Sequence, residues 1–374
     1  MIRIAMGVTG LRNLDQDSGQ DGIGQYTQHL IKRVMGSGKV EWVPVRFGRS
    51  SFCDSTPSLQ FMHNVPRSLL SCVTGFAFEQ VEIKKLGINL FHAPDHRVPK
   101  LARTPVLATI HDLIPFEFPY FVSKRHRLIV NPLLKRSYLW ADQIITVSNY
   151  SKERIVDYLG IDPNRIKVIY QGVDFTWRHN LTLKKRSELR LRYDLPRDYF
   201  VSVGTIQPRK NFPRLIEAYK RLPVAIRAAH DLIIIGRYGW GEKEFFEHIS
   251  KPLDIGHVRW LKGVSNLDLV GLVKTSLGMV FPSLAEGFGI PAMEALAAGI
   301  PLAASNSTSL PEVCGSAANY FEPNDVESIA DAMKALVEDS DRREELSALG
   351  LLRSKEFSWA KTAAETYSVY ESML

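Results

Sequence analysis

Two carboxylates, Glu286 and Glu294, bracket a Gly287-Phe288-Gly289 loop that runs into the helix-forming stretch Ile290-Pro291-Ala292-Met293. Proline suits the first helical position because it has no N–H to leave unpaired, and Gly299 supplies the left-handed residue that ends the helix. The loop presents its backbone N–H groups at the positive end of the helix dipole, an anion site suited to phosphate. A carboxylate on either side can accept hydroxyls. The segment therefore fits a ligand that carries both phosphate and sugar hydroxyls, such as a sugar nucleotide. The same residues also read as an ordinary capped helix with Glu286 in solvent.

Upstream lies Gly204-Thr205-Ile206-Gln207-Pro208-Arg209-Lys210-Asn211, directly after an apolar strand. Gly204 lets a ligand approach the strand end, and Pro208 stiffens the turn. Arg209 offers a planar fork and Lys210 a point charge, together a clamp for a diphosphate, or else a solvated pair. Gly236 stands in a similar place after the next strand, followed by Arg237, Tyr238 and Trp240. Lys262-Gly263-Val264 follows a third strand, where main chain could read the edge of a nucleobase. In the first half, His111-Asp112 ends the apolar run 105–110. The imidazole can donate or accept a hydrogen bond near neutral pH, and it can equally be a satisfied structural histidine. Asp112 can instead cap loop N–H groups. Gly22-Ile23-Gly24, between the first strand and first helix, permits close backbone approach or forms a plain turn.

Positioning these residues requires a repeated alternation of short apolar strand and helix, which predicts parallel sheets covered on both faces. Strands are expected at 2–6, 42–45, 90–92, 106–110, 143–146 and 166–169, with helices at 24–35, 68–86, 125–141 and 148–159. The rhythm restarts with strands at 200–204, 230–235, 258–261, 278–281 and 302–304. The polar stretch 175–197 reads as a linker. The expected fold is α/β, with two Rossmann-like domains: an acceptor domain over 1–175 and a nucleotide-sugar donor domain over 176–356. Residues 357–374 return to pack on the first. Ligands of such folds bind outside the carboxyl ends of the strands, here in a cleft between the two sheets.

The 374 residues are 45% hydrophobic and 23% charged, in keeping with an ordinary globular protein of two domains. No window approaches the roughly 18 apolar residues of a spanning helix, and the N-terminus lacks the flanks of a signal peptide. Three scattered cysteines support neither a disulfide framework nor a zinc site, so a reducing cytoplasm is expected. The net charge of +7 resides wholly in residues 1–175, with 22 Lys and Arg against 15 Asp and Glu. Lys124, Arg125, Arg127, Lys135 and Arg136 cluster near Phe116, Phe118, Tyr120 and Phe121. That surface suits an anionic lipid or phosphate-bearing acceptor, or is a solvated helix face. No nucleic-acid motif accompanies it, so nucleic acid is not an expected partner.

The order Gly22-Ile23-Gly24, His111-Asp112, Gly204…Arg209-Lys210-Asn211 and Glu286-Gly287-Phe288-Gly289…Glu294 resembles the retaining glycosyltransferases of family 4, over nearly the whole chain. The resemblance implies the two-Rossmann architecture called GT-B and a nucleotide-sugar donor. It assigns Glu294 to the ribose hydroxyls, Arg209 and Lys210 to the diphosphate, and Glu286 with the amides of Gly287, Phe288 and Gly289 to donor sugar and phosphates. Gly24 would approach the diphosphate and His111 the transferred sugar. Gly22, Gly204, Gly236, Gly263 and Val264 complete the implied donor site. No metal or other cofactor is implied, because protein cations take that part. The run Ala108-Thr109-Ile110-His111-Asp112-Leu113-Ile114-Pro115-Phe116 is similar to mannosyltransferases of bacterial surface-polysaccharide assembly. It points to GDP-mannose as donor and a glycan on a lipid carrier as acceptor, at the inner face of the cytoplasmic membrane. UDP-glucose or UDP-N-acetylglucosamine would suit the same frame, as would a non-catalytic sugar-nucleotide binder. A nicotinamide-dependent oxidoreductase would need a tight G-x-G-x-x-G after the first strand, and the glycines here come too late for that.

Overall fold

The computed structural model describes residues 2–9, 11, 22–35, 38, 40–47, 59–61, 71, 74–77, 80–240, 242–249 and 257–374. They divide into two compact units, residues 1–172 with 358–374, and residues 173–357. Each unit is built on its own parallel sheet.

The first sheet contains β1 (Ile2–Gly7), β2 (Val40–Phe47), β3 (Leu59–Phe61), β4 (Leu90–Ala93), β5 (Val106–Ile110), β6 (Gln143–Thr146) and β7 (Ile166–Val168). Their order is β3-β2-β1-β4-β5-β6-β7. Every residue of β4 and β5 is buried, as expected of central strands covered on both faces. The strand order reverses beside β1, the place where sheets of this kind take ligands at their carboxyl edge. Local chemistry sets the helix limits. In Asn149–Leu159 the Ser148 hydroxyl accepts the Ser151 N–H at 3.0 Å, and Gly160 (φ +69°) terminates the helix. Such a cap contributes about 1 kcal/mol.

The C-terminal helix Trp359–Met373 packs on Gly22–Met35 within this unit. His92 of β4 lies between the Tyr370 hydroxyl (2.7 Å) and the Thr109 hydroxyl (2.8 Å). Burial, with His111 a smaller influence, pulls its pKa down to about 3, so it serves as a neutral structural link. A Cβ on Gly172 would lie 2.1 Å from the Trp359 nitrogen, so the outgoing and returning chain segments touch where no side chain fits.

The second sheet contains β8 (Asp198–Val203), β9 (His230–Ile235), β10 (Val258–Leu261), β11 (Gly278–Phe281), β12 (Leu302–Ser305) and β13 (Asn319–Phe321), in the order β10-β9-β8-β11-β12-β13. Helix Phe212–Arg221 buries Phe212, Leu215, Ile216 and Tyr219, the i, i+3, i+4, i+7 stripe of a helix lying on a sheet. Each such side chain contributes about 1.5–3 kcal/mol.

Three expectations need correction. Residues 175–197 are not a linker: they form the 3-10 turn Phe175–Arg178 and the helix Leu183–Arg192 of the second unit. Trp177, Leu189 and Leu195 are buried there, and buried positions so widely spaced among exposed apolar and charged residues leave little periodic signal. The helix expected over 68–86 is interrupted at 75–77, with Gln80–Lys85 helical and much of the remainder outside the described residues. Gly22 to Gly24 are not a turn before the first helix but its first turn, and the residues just before them lie outside the described set.

Candidate active site

In the second unit, β8 and β11 are neighbours, so the loops leaving their carboxyl ends meet. The turn Pro208–Lys210 follows β8, and the Leu284 N–H donates to the Arg209 carbonyl at 2.8 Å, joining it to the loop after β11. Glu286 comes to lie between both cations. Its Oε1 is 2.5 Å from Lys210 Nζ, and its Oε2 is 2.8 Å from Arg209 Nη1. The side chains of Lys210 and Glu286 are only 7% and 8% exposed, whereas that of Arg209 is 22% exposed and remains accessible to a ligand. Burial alone would raise the Glu286 pKa, but Arg209 and Lys210 outweigh it and bring the carboxyl down to about 2. With two cations against one carboxylate, the cluster stays positive. Lys210 also lies over the Phe281 ring, 4.9 Å from its centroid.

A Ser/Thr run after β12 fixes the loop from the other side. The Glu286 N–H donates to Thr308 Oγ1 at 3.0 Å, Ser309 Oγ donates to the Glu286 carbonyl at 2.9 Å, and Ser307 Oγ to the Leu284 carbonyl at 2.6 Å. Gly289 caps the helix Ile290–Ala298 with φ +93°, a conformation that L side chains rarely adopt, and an added Cβ would meet Leu310 at 2.6 Å. Phe288 is buried, its ring 5.8 Å from that of Phe357. Glu294 follows one helical turn later. Its pKa is raised to about 8 by burial, with hydrogen bonding from Trp177 opposing the rise and the charge of Asp174 adding to it.

The remaining loops lie along the same carboxyl edge. A Cβ on Gly236 would fall 1.9 Å from the Gly204 carbonyl oxygen, and one on Gly204 would fall 3.2 Å from the Lys210 stem. Gly236, expected to make room for a ligand, is already required by the contact between neighbouring loops, whereas a side chain at Gly204 would press on the Lys210 stem. Lys262, beside Gly263 and Val264, is held by the Tyr238 hydroxyl at 3.0 Å and lies 4.2 Å from the Trp260 ring centroid. Trp260 donates to the Gly236 carbonyl at 2.9 Å.

In the first unit, His111 leaves β5 with both ring nitrogens engaged. Nε2 is 3.0 Å from the Pro94 carbonyl and Nδ1 is 3.0 Å from Gln171 Nε2. This pairing selects the neutral tautomer in which Nε2–H donates and Nδ1 accepts. The ring stands edge-on to Tyr26, with centroids 4.9 Å apart. Asp112 accepts the Ile114 N–H at 3.1 Å, so it caps the following turn.

Glycosyl transferases group 1 matches residues 186–350, and Glycosyltransferase Family 4 matches residues 22–177. Together these domains take in most of the chain, including Gly22, Gly24, His111, Arg209, Lys210, Glu286 and Glu294. The chain belongs to glycosyltransferase family 4. O-antigen chain mannosyltransferase B of Escherichia coli is 29% identical over 367 residues, covering 94% of this chain and 96% of the relative. O-antigen chain mannosyltransferase RfbU of Salmonella typhimurium is 30% identical, covering 68% and 67%. In fold, the chain is similar to Anabaena HepE, solved in complex with UDP and glucose, with TM-score 0.76, 19% identity and full coverage of both chains.

For a family 4 glycosyltransferase, the sequence marked Arg209, Lys210, Glu286 and Glu294 but missed several partners. Thr308 and Ser309 could have been suspected from the Ser305-Asn306-Ser307-Thr308-Ser309 run at a strand end. Trp177, Asp174 and Gln171 carry no such signal, because their contacts come from distant parts of the chain. Among the described residues no group of three or more His, Cys, Asp or Glu is placed to hold a metal ion, and no helix is long and apolar enough to cross a membrane.

Proposed function

We propose that this glycosyltransferase moves an α-mannosyl group from GDP-mannose, with retention, to a growing glycan on a lipid carrier. The buried Lys210–Glu286–Arg209 cluster at the edge of the second sheet carries the reading, since its geometry matches the needs of a departing nucleoside diphosphate. The two relatives named as O-antigen chain mannosyltransferases support the choice of sugar.

Arg209 and Lys210 bind the diphosphate and stabilise the charge that develops on it as the glycosidic bond breaks, doing without a metal what a bound cation would do elsewhere. Glu286 holds both cations in place and, with the amides of Gly287 to Gly289, engages the donor sugar and phosphates. Glu294 accepts hydrogen bonds from the ribose diol. Gly204, Gly236, Gly263 and Val264 shape the nucleotide side, and Gly22, Gly24 and His111 serve the diphosphate and transferred sugar from the first unit. Because both nitrogens of His111 have protein partners, its contact with the sugar requires one of them to exchange. A leaving-group oxygen that accepts the acceptor's proton on the same face would account for retention without a protein nucleophile.

A peripheral position at the inner face of the cytoplasmic membrane fits a lipid-linked acceptor. Tyr120, Leu128 and Ile129 are exposed beside Lys124, Arg125 and Arg127, pairing apolar area with positive charge.

Calorimetry with GDP, UDP, GDP-mannose and UDP-glucose, without metal and then with magnesium, tests the donor. Metal-free binding of GDP over UDP is expected. A preference for UDP would replace mannose by a UDP-linked sugar, a magnesium requirement would remove the metal-independent reading, and binding of neither nucleotide would point to a different role for the fold.

A further inference from the structure

His111 leaves β5 at the carboxyl edge of the first sheet, and its ring spans from the loop after β4 to the segment after β7. The ring is partly exposed, whereas Gln171, whose Nε2 is 3.0 Å from His111 Nδ1, is only 3% exposed. The Gln171 Oε1 is buried with no hydrogen-bond partner. A buried carbonyl left unpaired costs stability, so packing alone gives no reason for a glutamine here. The backbone is held on both sides of it. The Thr362 hydroxyl donates to the Tyr170 carbonyl at 2.8 Å, and Gly172 lies so close to the Trp359 nitrogen that no Cβ fits.

The proton positions on His111 follow from its partners. The Pro94 carbonyl, 3.0 Å from Nε2, can only accept, so Nε2 must carry a proton. A neutral imidazole then has a bare Nδ1, which needs a donor, and the Gln171 amide supplies one. The acidic groups nearby are committed elsewhere: Asp112 caps the Ile114 N–H at 3.1 Å, and Asp95 pairs with Arg97 at 2.6 Å. His92 is engaged on both ring nitrogens by Tyr370 and Thr109.

We propose that Gln171 is a positioning residue for His111: by donating to Nδ1 it keeps the ring neutral and turned so that Nε2–H meets a hydroxyl of the transferred sugar. The inference rests on the reading of His111 as the sugar contact. A sugar hydroxyl that enters between Nε2 and the Pro94 carbonyl accepts from the one and donates to the other, so neither is left unpaired. His111 thus serves as a donor to the sugar and not as a base, and the buried Gln171 acts only through it.

Calorimetry of the full chain with GDP and GDP-mannose, or with UDP and UDP-glucose where UDP binds tighter, reads the contribution of the sugar as the ratio of the two affinities. Wild type is compared with Gln171→Met, His111→Ala and the double variant, each checked by thermal melting. Gln171→Met keeps the length of the side chain and removes the amide. It should bind the bare nucleotide as wild type does and lower the affinity ratio about fivefold. The double variant should lose no more than His111→Ala. Nitrogen-15 NMR reads the ring directly, with the His111 signals identified as those missing from His111→Ala. At neutral pH wild type should show Nε2 protonated and Nδ1 bare, and Gln171→Met a displaced Nδ1 signal. Gln171→Glu, whose carboxylate accepts from Nδ1, should show protons on both nitrogens. A second proton on wild-type Nδ1, a wild-type affinity ratio or an undisplaced Nδ1 signal in Gln171→Met, or additive losses in the double variant would overturn the positioning role while the sugar reading of His111 stands. A wild-type ratio in His111→Ala would overturn both.

Discussion

Replacing Lys210 by Met tests whether the buried cluster serves the reaction or only the fold. The Nζ–Oε1 separation is 2.5 Å, and both side chains are less than a tenth exposed. At an effective dielectric of about 20 such a contact is worth roughly 6 kcal/mol gross, and desolvation of both ions cancels much of that. Arg209 stays 2.8 Å from the other carboxylate oxygen, so Glu286 keeps one partner. We expect the substitution to cost about 3 kcal/mol, toward the low end for breaking a buried pair. For a unit of this size that lowers the melting temperature by about 6–12 °C. Removing Glu286 as well, in Lys210→Met/Glu286→Gln, takes away a buried carboxylate left with one of its two partners and should recover part of the loss. Activity should behave differently. If Lys210 stabilises the departing diphosphate, kcat falls about 100- to 1000-fold in the single variant, with a smaller change in donor affinity, and the double variant recovers none of it. Differential scanning calorimetry gives the first quantity and transfer kinetics at saturating donor the second. A double variant as unstable as the single would refute the pairing energetics. Near-normal kcat in folded Lys210→Met, or equal losses in binding and turnover, would refute the leaving-group role.

Glu286 and Glu294 should give opposite pH signatures. The folded pKa of Glu286 is depressed from 4.5 to about 2, so its stabilisation is present above about pH 4.5 and lost as the pH falls toward about 2. Acid unfolding of Glu286→Gln should lack that component. The folded pKa of Glu294 is raised from 4.5 to about 8, so its contribution is full below about pH 4.5 and is lost as the pH rises through about 8. Glu294→Gln should therefore gain stability over wild type by about 1 kcal/mol or more between about pH 5 and pH 9; melting temperatures that run in parallel would contradict this. Gly236→Ala places a Cβ against the Gly204 carbonyl and should lower stability by about 2–4 kcal/mol in urea denaturation, with a change below about 0.5 kcal/mol showing that the loops yield easily. Leu128→Asp should reduce sedimentation with anionic vesicles while leaving GDP binding intact, and unchanged sedimentation would remove this face from the membrane proposal.

Strand positions were largely legible in the sequence because a strand buried on both faces is a short apolar run with little else to be. The expected spans 106–110, 143–146, 230–235, 258–261 and 278–281 coincide with β5, β6, β9, β10 and β11. β3 and β13 were missed, each being three residues long with a polar residue among them and so too short a run to stand out, whereas the edge strands β7 and β10 were expected. The diphosphate clamp was legible for a related reason: charged residues immediately after a buried strand must emerge at its carboxyl end, where such folds take ligands.

What the sequence by itself determined was the alternation of elements, the family, and which charged residues stand at strand ends. The tertiary structure decided their partners. Strand order places the loops after β8 and β11 side by side, and only then does Glu286 lie between Arg209 and Lys210 with its pKa pulled down. The turn after Gly172, read as linker from its charge, folds onto the helix of Glu294 and brings Trp177 to it. The physical reason is common to both cases. Burial and charge pairing depend on which distant segments share a dry space, and that is set by sheet order and packing, not by the spacing of residues along the chain.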